Sequence, residues 1–131
     1  MIYLDTSAML KLVFGEDESA ALRQWLGTDQ GDAPLASSDL TRVEVMRACH
    51  RVDVAHIPLA QTVLAQLDLV PLDRALLDAA ADLPARHLRT LDALHLATAM
   101  SLGEALDVFV AYDARLLEAA RDAGLPVASP T

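Results

Sequence analysis

The sequence predicts an α/β fold in which a mainly parallel sheet of about five short strands carries helices on both faces. Short apolar runs alternate along the chain with segments of helical periodicity, the pattern of βαβ crossovers. Glycine, proline and acidic residues punctuate most of the boundaries. Four acids, Asp5, Glu44, Asp92 and Asp113, fall where strands hand over to helices, so a parallel sheet can gather them at one rim.

In order along the chain, Met1 to Leu4 is an apolar strand ended by Asp5, and Ser7 to Phe14 carries a helical pattern stopped by Gly15. Ser19 is the expected N-cap of a helix through Leu22, Trp25 and Leu26 that Gly27 closes. Pro34 precedes a small strand at Leu35 to Ser37, and Thr41 to Arg51 is helical. Pro58 opens a helix through Leu67, Leu69-Val70 is a brief strand, Arg74 to Ala81 is a helix, and Pro84 breaks the chain. Thr90 to Leu102 is expected to be the strongest amphipathic helix, with Leu91, Leu94, Ala97 and Leu102 facing in and Gly103 past its end. Val108 to Ala111 is the clearest strand, Ala114 to Ala123 a helix stopped by Gly124, and Pro126 to Ala128 a last short strand.

A chain of 131 residues fits one domain, residues 1–131, with a core of ordinary size and neither disulfides nor structural metal. Apolar residues make up 53% and aromatics only 4%, so that core is aliphatic and its helices pack closely. Cys49 is the single cysteine, which favours a reducing, cytoplasmic setting and a buried apolar role. No signal peptide or membrane-spanning run is evident. The net charge of −9 argues against a nucleic-acid ligand at first sight, but it averages over faces and counts carboxylates that a cation would neutralise. Arg42, Arg47, Arg51, Arg86 and Arg89 are the candidate phosphate contacts, although each also reads as part of a solvated helix face.

Each acid has a structural explanation when taken singly. Asp5 and Asp113 suit helix N-caps, Asp92 suits the positive end of its helix, and Glu44 follows Thr41 in a capping-box spacing. Taken together, four caps on one rim would repel one another and oppose folding, a problem that a bound cation removes. Oxygen-only ligands, without a Cys/His set or HExxH, point to Mg²⁺, with Mn²⁺ as a possible substitute. The chemistry such a site suits is phosphodiester hydrolysis. A response-regulator receiver would need an acidic pair after the first strand and a lysine near the last; the only lysine is Lys11. A haloacid-dehalogenase-type phosphatase would need a second acid in Asp5-Thr6-Ser7.

The segments YLDTSAMLKL, LTRVEVMRA, TLDALHLATA and VAYDARLLEAARDAGLPV resemble the PilT N-terminus (PIN) domain, specifically the VapC toxins of bacterial toxin-antitoxin pairs. The resemblance implies a compact PIN-like α/β sandwich and a Mg²⁺-dependent endoribonuclease that acts on RNA. It also implies inhibition by a cognate VapB-type antitoxin, with the toxin as a homodimer within that complex. By motif, the family acids match Asp5, Glu44, Asp92 and Asp113; Asp5 and Asp92 would be the principal metal ligands, and Glu44 and Asp113 would complete the cluster and orient the attacking water. A structure-selective DNA nuclease and a non-catalytic metal-binding or interaction domain are the alternatives. Ala111 departs from the hydroxyl residue often found before the family tyrosine.

Thr6 and Ser7 are placed to bond a carboxylate or a metal water, or else to cap a helix. His95 is expected to be a packed or capped structural histidine, and His50, His56 and His87 are less suggestive still. Tyr112 and Trp25 read as core rather than base-stacking residues.

Overall fold

The computed structural model describes all residues, Met1–Thr131, as five strands and seven α-helices. In chain order these are β1 (Ile2–Leu4), α1 (Thr6–Val13), α2 (Ser19–Gln24), β2 (Leu35–Ser38), α3 (Leu40–Val52), α4 (Ile57–Ala65), β3 (Asp68–Val70), α5 (Arg74–Ala81), α6 (Thr90–Ser101), β4 (Val108–Val110), α7 (Ala114–Asp122) and β5 (Val127–Ala128). The strands form one sheet of order β3-β2-β1-β4-β5, and every pairing is parallel. The expected α/β fold is therefore the observed one.

The chain lays β2 and β3 on one side of β1, then crosses to the other side for β4 and β5. The reversal lies between β1 and β4, and it opens a crevice beyond their carboxyl ends. Asp5 follows β1 directly and Asp113 follows β4 by three residues, so the topology alone brings these two acids to the crevice.

Strand periodicity divides the core between the two faces. Ile2, Leu4 and Val110 pack with Met9 and Val13 of α1, Leu22 of α2, Val45 and Cys49 of α3 and Val63 of α4. Tyr3, Phe109 and Ala111 face the opposite way, against Leu96 and Ala99 of α6 and Leu116 and Ala120 of α7. A smaller apolar cluster of Leu76, Ala80, Leu94 and Ala97 joins α5 to α6. Cys49 is buried and free, and Tyr112 and Trp25 are half-buried against the first cluster, as their composition-based reading anticipates.

Several local expectations are corrected. Glu18, not Ser19, holds the N-cap position of α2; the Ser19 hydroxyl donates to the Phe14 carbonyl and accepts the Glu16 N–H instead. Gly27 does not close that helix, which widens into a π-helical turn over Trp25–Asp29, and the chain turns only at Gly31 with φ 59°. The helix α6 is not amphipathic in its middle. Six consecutive residues, Leu94–Ala99, are buried because the sheet, α5 and α7 enclose it, whereas Leu91 is 47% exposed. Gly124 ends α7 as expected, at φ 83°, with Gly124 N–H bonded to the Arg121 carbonyl and Leu125 N–H to the Ala120 carbonyl.

Candidate active site

Asp5 sits in extended backbone between β1 and α1 and is buried. Its Oδ1 accepts the Ala8 N–H at 2.9 Å and the Ser7 hydroxyl at 2.6 Å, which leaves Oδ2 without a partner in the chain. Burial pushes this carboxyl up to about 6, against the opposing pull of the Ser7 bond, the His95 ring and the Ala8 bond, and Asp92 adds to the rise. The capping function expected of Asp5 is thus real, and it occupies only one of the two oxygens.

Asp113 caps α7 in the same manner, accepting the Leu116 N–H at 2.9 Å through Oδ1, and is exposed to solvent. Asp92, half-buried in the first turn of α6, makes no capping bond, and Arg89 holds the N-cap position. Burial raises the Asp92 carboxyl first, and the charges of Asp113 and Glu44 raise it further. Like charges at this rim therefore work against ionisation.

Glu44 departs from its expected capping box. Thr41 is buried and bonds the Ser37 hydroxyl at 2.7 Å, and Asp39 is the residue at the N-cap of α3. The Glu44 side chain instead crosses to the other helices: its Oε1 accepts the Thr6 hydroxyl at 2.6 Å and lies 2.8 Å from His95 Nε2. Burial alone would raise this carboxyl, but the bonds from His95 and Thr6 outweigh it, and the net displacement is downward. His95 is buried as expected, and its Nδ1 is 2.8 Å from the Tyr3 hydroxyl. Sequence reasoning did not anticipate this link. The one cue was the alternation in β1, which turns Tyr3 away from Ile2 and Leu4 toward α6.

Both hydroxyls after Asp5 bind carboxylates, Thr6 to Glu44 and Ser7 to Asp5. Ser7 also accepts the Tyr112 N–H at 2.9 Å. Ala111, the departure from the usual motif, packs in the apolar core between α6 and α7.

The four acids share one electrostatic neighbourhood, yet no three His, Cys, Asp or Glu side chains converge into a ready-made metal cage. The donor chemistry still suits a hard cation, because the acids offer oxygen alone and the like charges that add to the effect of burial at Asp92 are the kind a cation neutralises. A shallow cavity of about 240 Å³ opens beside the rim, lined by Ser7, Lys11, Tyr112 and Asp113 among others. Larger cavities of about 430 Å³ lie elsewhere, one of them walled by Arg86, His87 and Arg115. Arg42, Arg47, Arg51, Arg86 and Arg89 are all exposed, and no arginine pairs with a carboxylate; the ion pairs are made by the Met1 amino group and by Lys11. No helix is long and apolar enough to cross a membrane.

Comparison with known proteins agrees with this architecture. The PIN domain family matches residues 2–122. Ribonuclease VapC46 of Mycobacterium tuberculosis is 45% identical over 130 residues, covering 99% of this chain and 98% of the relative. Ribonuclease VapC35 of the same species is 44% identical over 132 residues, covering 99% and 97%. The crystal structure of Mycobacterium tuberculosis VapC20, described as a sarcin-ricin loop cleaving toxin, aligns with a TM-score of 0.78 over 99% of this chain and 100% of that one. At 17% identity that likeness speaks for the fold alone. With the family match spanning nearly the whole chain and full-length relatives this similar, the chain belongs to the PIN-domain family, among the VapC ribonuclease toxins.

Proposed function

We propose that this protein is a Mg²⁺-dependent endoribonuclease toxin whose site is the rim formed by Asp5, Glu44, Asp92 and Asp113. The observation that carries the reading is the gathering of acids at the crevice between β1 and β4, where the carboxyl of Asp92 is raised by burial first and then by the charges of Asp113 and Glu44. Membership of the VapC group supplies the substrate class, RNA.

Asp5 and Asp92 would hold the cation, with Asp113 and Glu44 contributing directly or through water. A divalent cation bound there supplies Lewis-acid stabilisation of the phosphate and lowers the pKa of water. The chain's own part is positioning. Ser7 and Ala8 fix one oxygen of Asp5, while Thr6 and His95 fix one oxygen of Glu44. Glu44, held ionised by those bonds, orients the attacking water and accepts its proton. The new bond joins the water oxygen to phosphorus and the P–O3′ bond breaks, giving a 5′-phosphate and, after protonation, a 3′-hydroxyl. Exposed arginines close in the chain to two of the acids, Arg86 and Arg89 before Asp92 and Arg115 after Asp113, would meet the RNA phosphates.

A cognate VapB-type antitoxin would inhibit the enzyme by setting a basic side chain among these carboxylates, and the toxin would act in the cytoplasm, as a homodimer when held in that complex. The test is cleavage of structured and single-stranded RNA by the purified protein, with DNA in parallel, in Mg²⁺ and in EDTA. Metal-dependent RNA cleavage that Asp92→Asn removes supports the reading. Cleavage unaffected by EDTA or by Asp92→Asn refutes it.

A further inference from the structure

We infer that His95 is a positioning residue for Glu44, set by Tyr3 in the tautomer that carries its proton on Nε2. The inference rests on the nuclease reading above and adds to it a proton inventory that begins inside the core.

Tyr3 is fully buried on the face of β1 that meets α6, and Phe109 stacks on its ring with centroids 5.4 Å apart. Burial raises its pKa well beyond the usual range, so the phenol keeps its proton. A buried hydroxyl left without an acceptor costs about 1–3 kcal/mol. The partner it meets is His95 Nδ1, at 2.8 Å. The hydroxyls of Ser37 and Thr98 lie nearby, with their own protons given to the Leu4 and Leu94 carbonyls, but His95 Nδ1 is the one group that meets the phenol with hydrogen-bond geometry.

Nδ1 must therefore accept, and a neutral imidazole with an accepting Nδ1 carries its hydrogen on Nε2. An imidazolium would make Nδ1 a donor and strip the phenol proton of its acceptor. Nε2 lies 2.8 Å from Glu44 Oε1 and 2.9 Å from Thr6 Oγ1, and Thr6 gives its own proton to the same Glu44 oxygen. Oε1 is thus held by two donors from two elements, α1 and α6, and Oε2 has no partner within the chain. The bridge passes over the carboxyl end of the sheet, joining the helices of its two faces.

Long-range ¹H–¹⁵N correlation spectra of the His95 ring in the intact protein test the tautomer directly. The expected result is a protonated Nε2 and a bare Nδ1, with the second tautomer appearing in Tyr3→Phe. A wild-type ring protonated on Nδ1 overturns the inference.

Single-turnover cleavage of RNA tests the consequence. His95→Gln keeps a donor for Glu44 and should retain most of the rate, whereas His95→Leu should lose about 10–100-fold in kcat with little change in KM. Equal losses in both variants, or full activity in His95→Leu, would overturn it. Glu44→Gln separates the two claims: an active Glu44→Gln refutes the nuclease site, while an inactive Glu44→Gln beside a fully active His95→Leu refutes only the positioning role.

Discussion

Ser7 joins Asp5 to Tyr112 through one oxygen. It donates to Asp5 Oδ1 at 2.6 Å and accepts the Tyr112 N–H at 2.9 Å, so the acid after β1 and the segment after β4 share a single hydroxyl. Ser7→Ala should destabilise the fold by about 1–3 kcal/mol, because a partly buried N–H loses its acceptor. The Ser7 bond favours the ionised form of Asp5, so its loss should also move the acid limb of the pH–rate profile upward. Urea unfolding and the rate profile check the two effects separately.

Asp5 links stability to pH with a definite sign. Its folded value of about 6 exceeds the ordinary 3.8, so the native state binds this proton more tightly than the unfolded chain does. That stabilisation is fully present below the unfolded value and is lost as pH rises through the folded one. Ionised Asp5 should cost the metal-free protein roughly 3 kcal/mol at neutral pH. Asp5→Asn retains a side-chain oxygen for the Ala8 N–H and carries no charge. In EDTA it should be more stable than the wild type at pH 7, with the gap closing toward pH 4. A gap independent of pH would contradict this.

The same substitution should disable catalysis. Asp5→Asn and Asp92→Asn should each lower RNA cleavage by at least about 100-fold, the scale of losing one preorganised electrostatic stabiliser. Wild-type rates in either purified variant would remove that residue from the site.

Product ends report the nucleophile. Attack by water leaves a 3′-hydroxyl and a 5′-phosphate, whereas attack by the ribose 2′-hydroxyl leaves a cyclic phosphate. His95, the one histidine at the rim, is bonded to Tyr3, Thr6 and Glu44 and is not presented to a ribose. End-specific labelling should find 5′-phosphates; cyclic ends would overturn the mechanism.

In bacteria, expression alone should arrest growth, and Asp5→Asn should relieve the arrest. Co-expression of a cognate VapB-type antitoxin, the partner proposed above, should relieve it as well. Equal arrest by wild type and Asp5→Asn would sever the acidic rim from the toxicity.

Much of this was legible in the residues. Strand-ending acids and switching periodicity are local signals, and they sufficed for the parallel sheet and for the places of Asp5 and Asp113. Where the sequence misled, tertiary packing prevailed over local pattern. Thr41 and Glu44 have capping-box spacing, yet Ser37 draws the Thr41 hydroxyl inward, and His95 and Thr6 draw Glu44 across to α1 and α6. Leu91 has the spacing of a core residue but lies at the exposed start of α6, whereas the buried side of that helix is set by how α5 and α7 enclose it. The link from Tyr3 to His95 spans 92 residues, a distance over which no local pattern can act.

The central claim, that the rim is a cation site and not a set of helix caps, is tested most directly by thermal melts of wild type and Asp92→Asn in EDTA and across a Mg²⁺ titration at fixed ionic strength. Mg²⁺ binding only to the folded wild type should add about 1.4 kcal/mol at ten times its Kd, or roughly 3–6 °C in Tm. Asp92→Asn should be no less stable than wild type in EDTA, because the repulsion from Asp113 and Glu44 is relieved, and it should respond far less to Mg²⁺. An Asp92→Asn variant that is weaker in EDTA and gains the same Tm from Mg²⁺ as the wild type would contradict the claim and leave Asp92 as a helix-end charge alone.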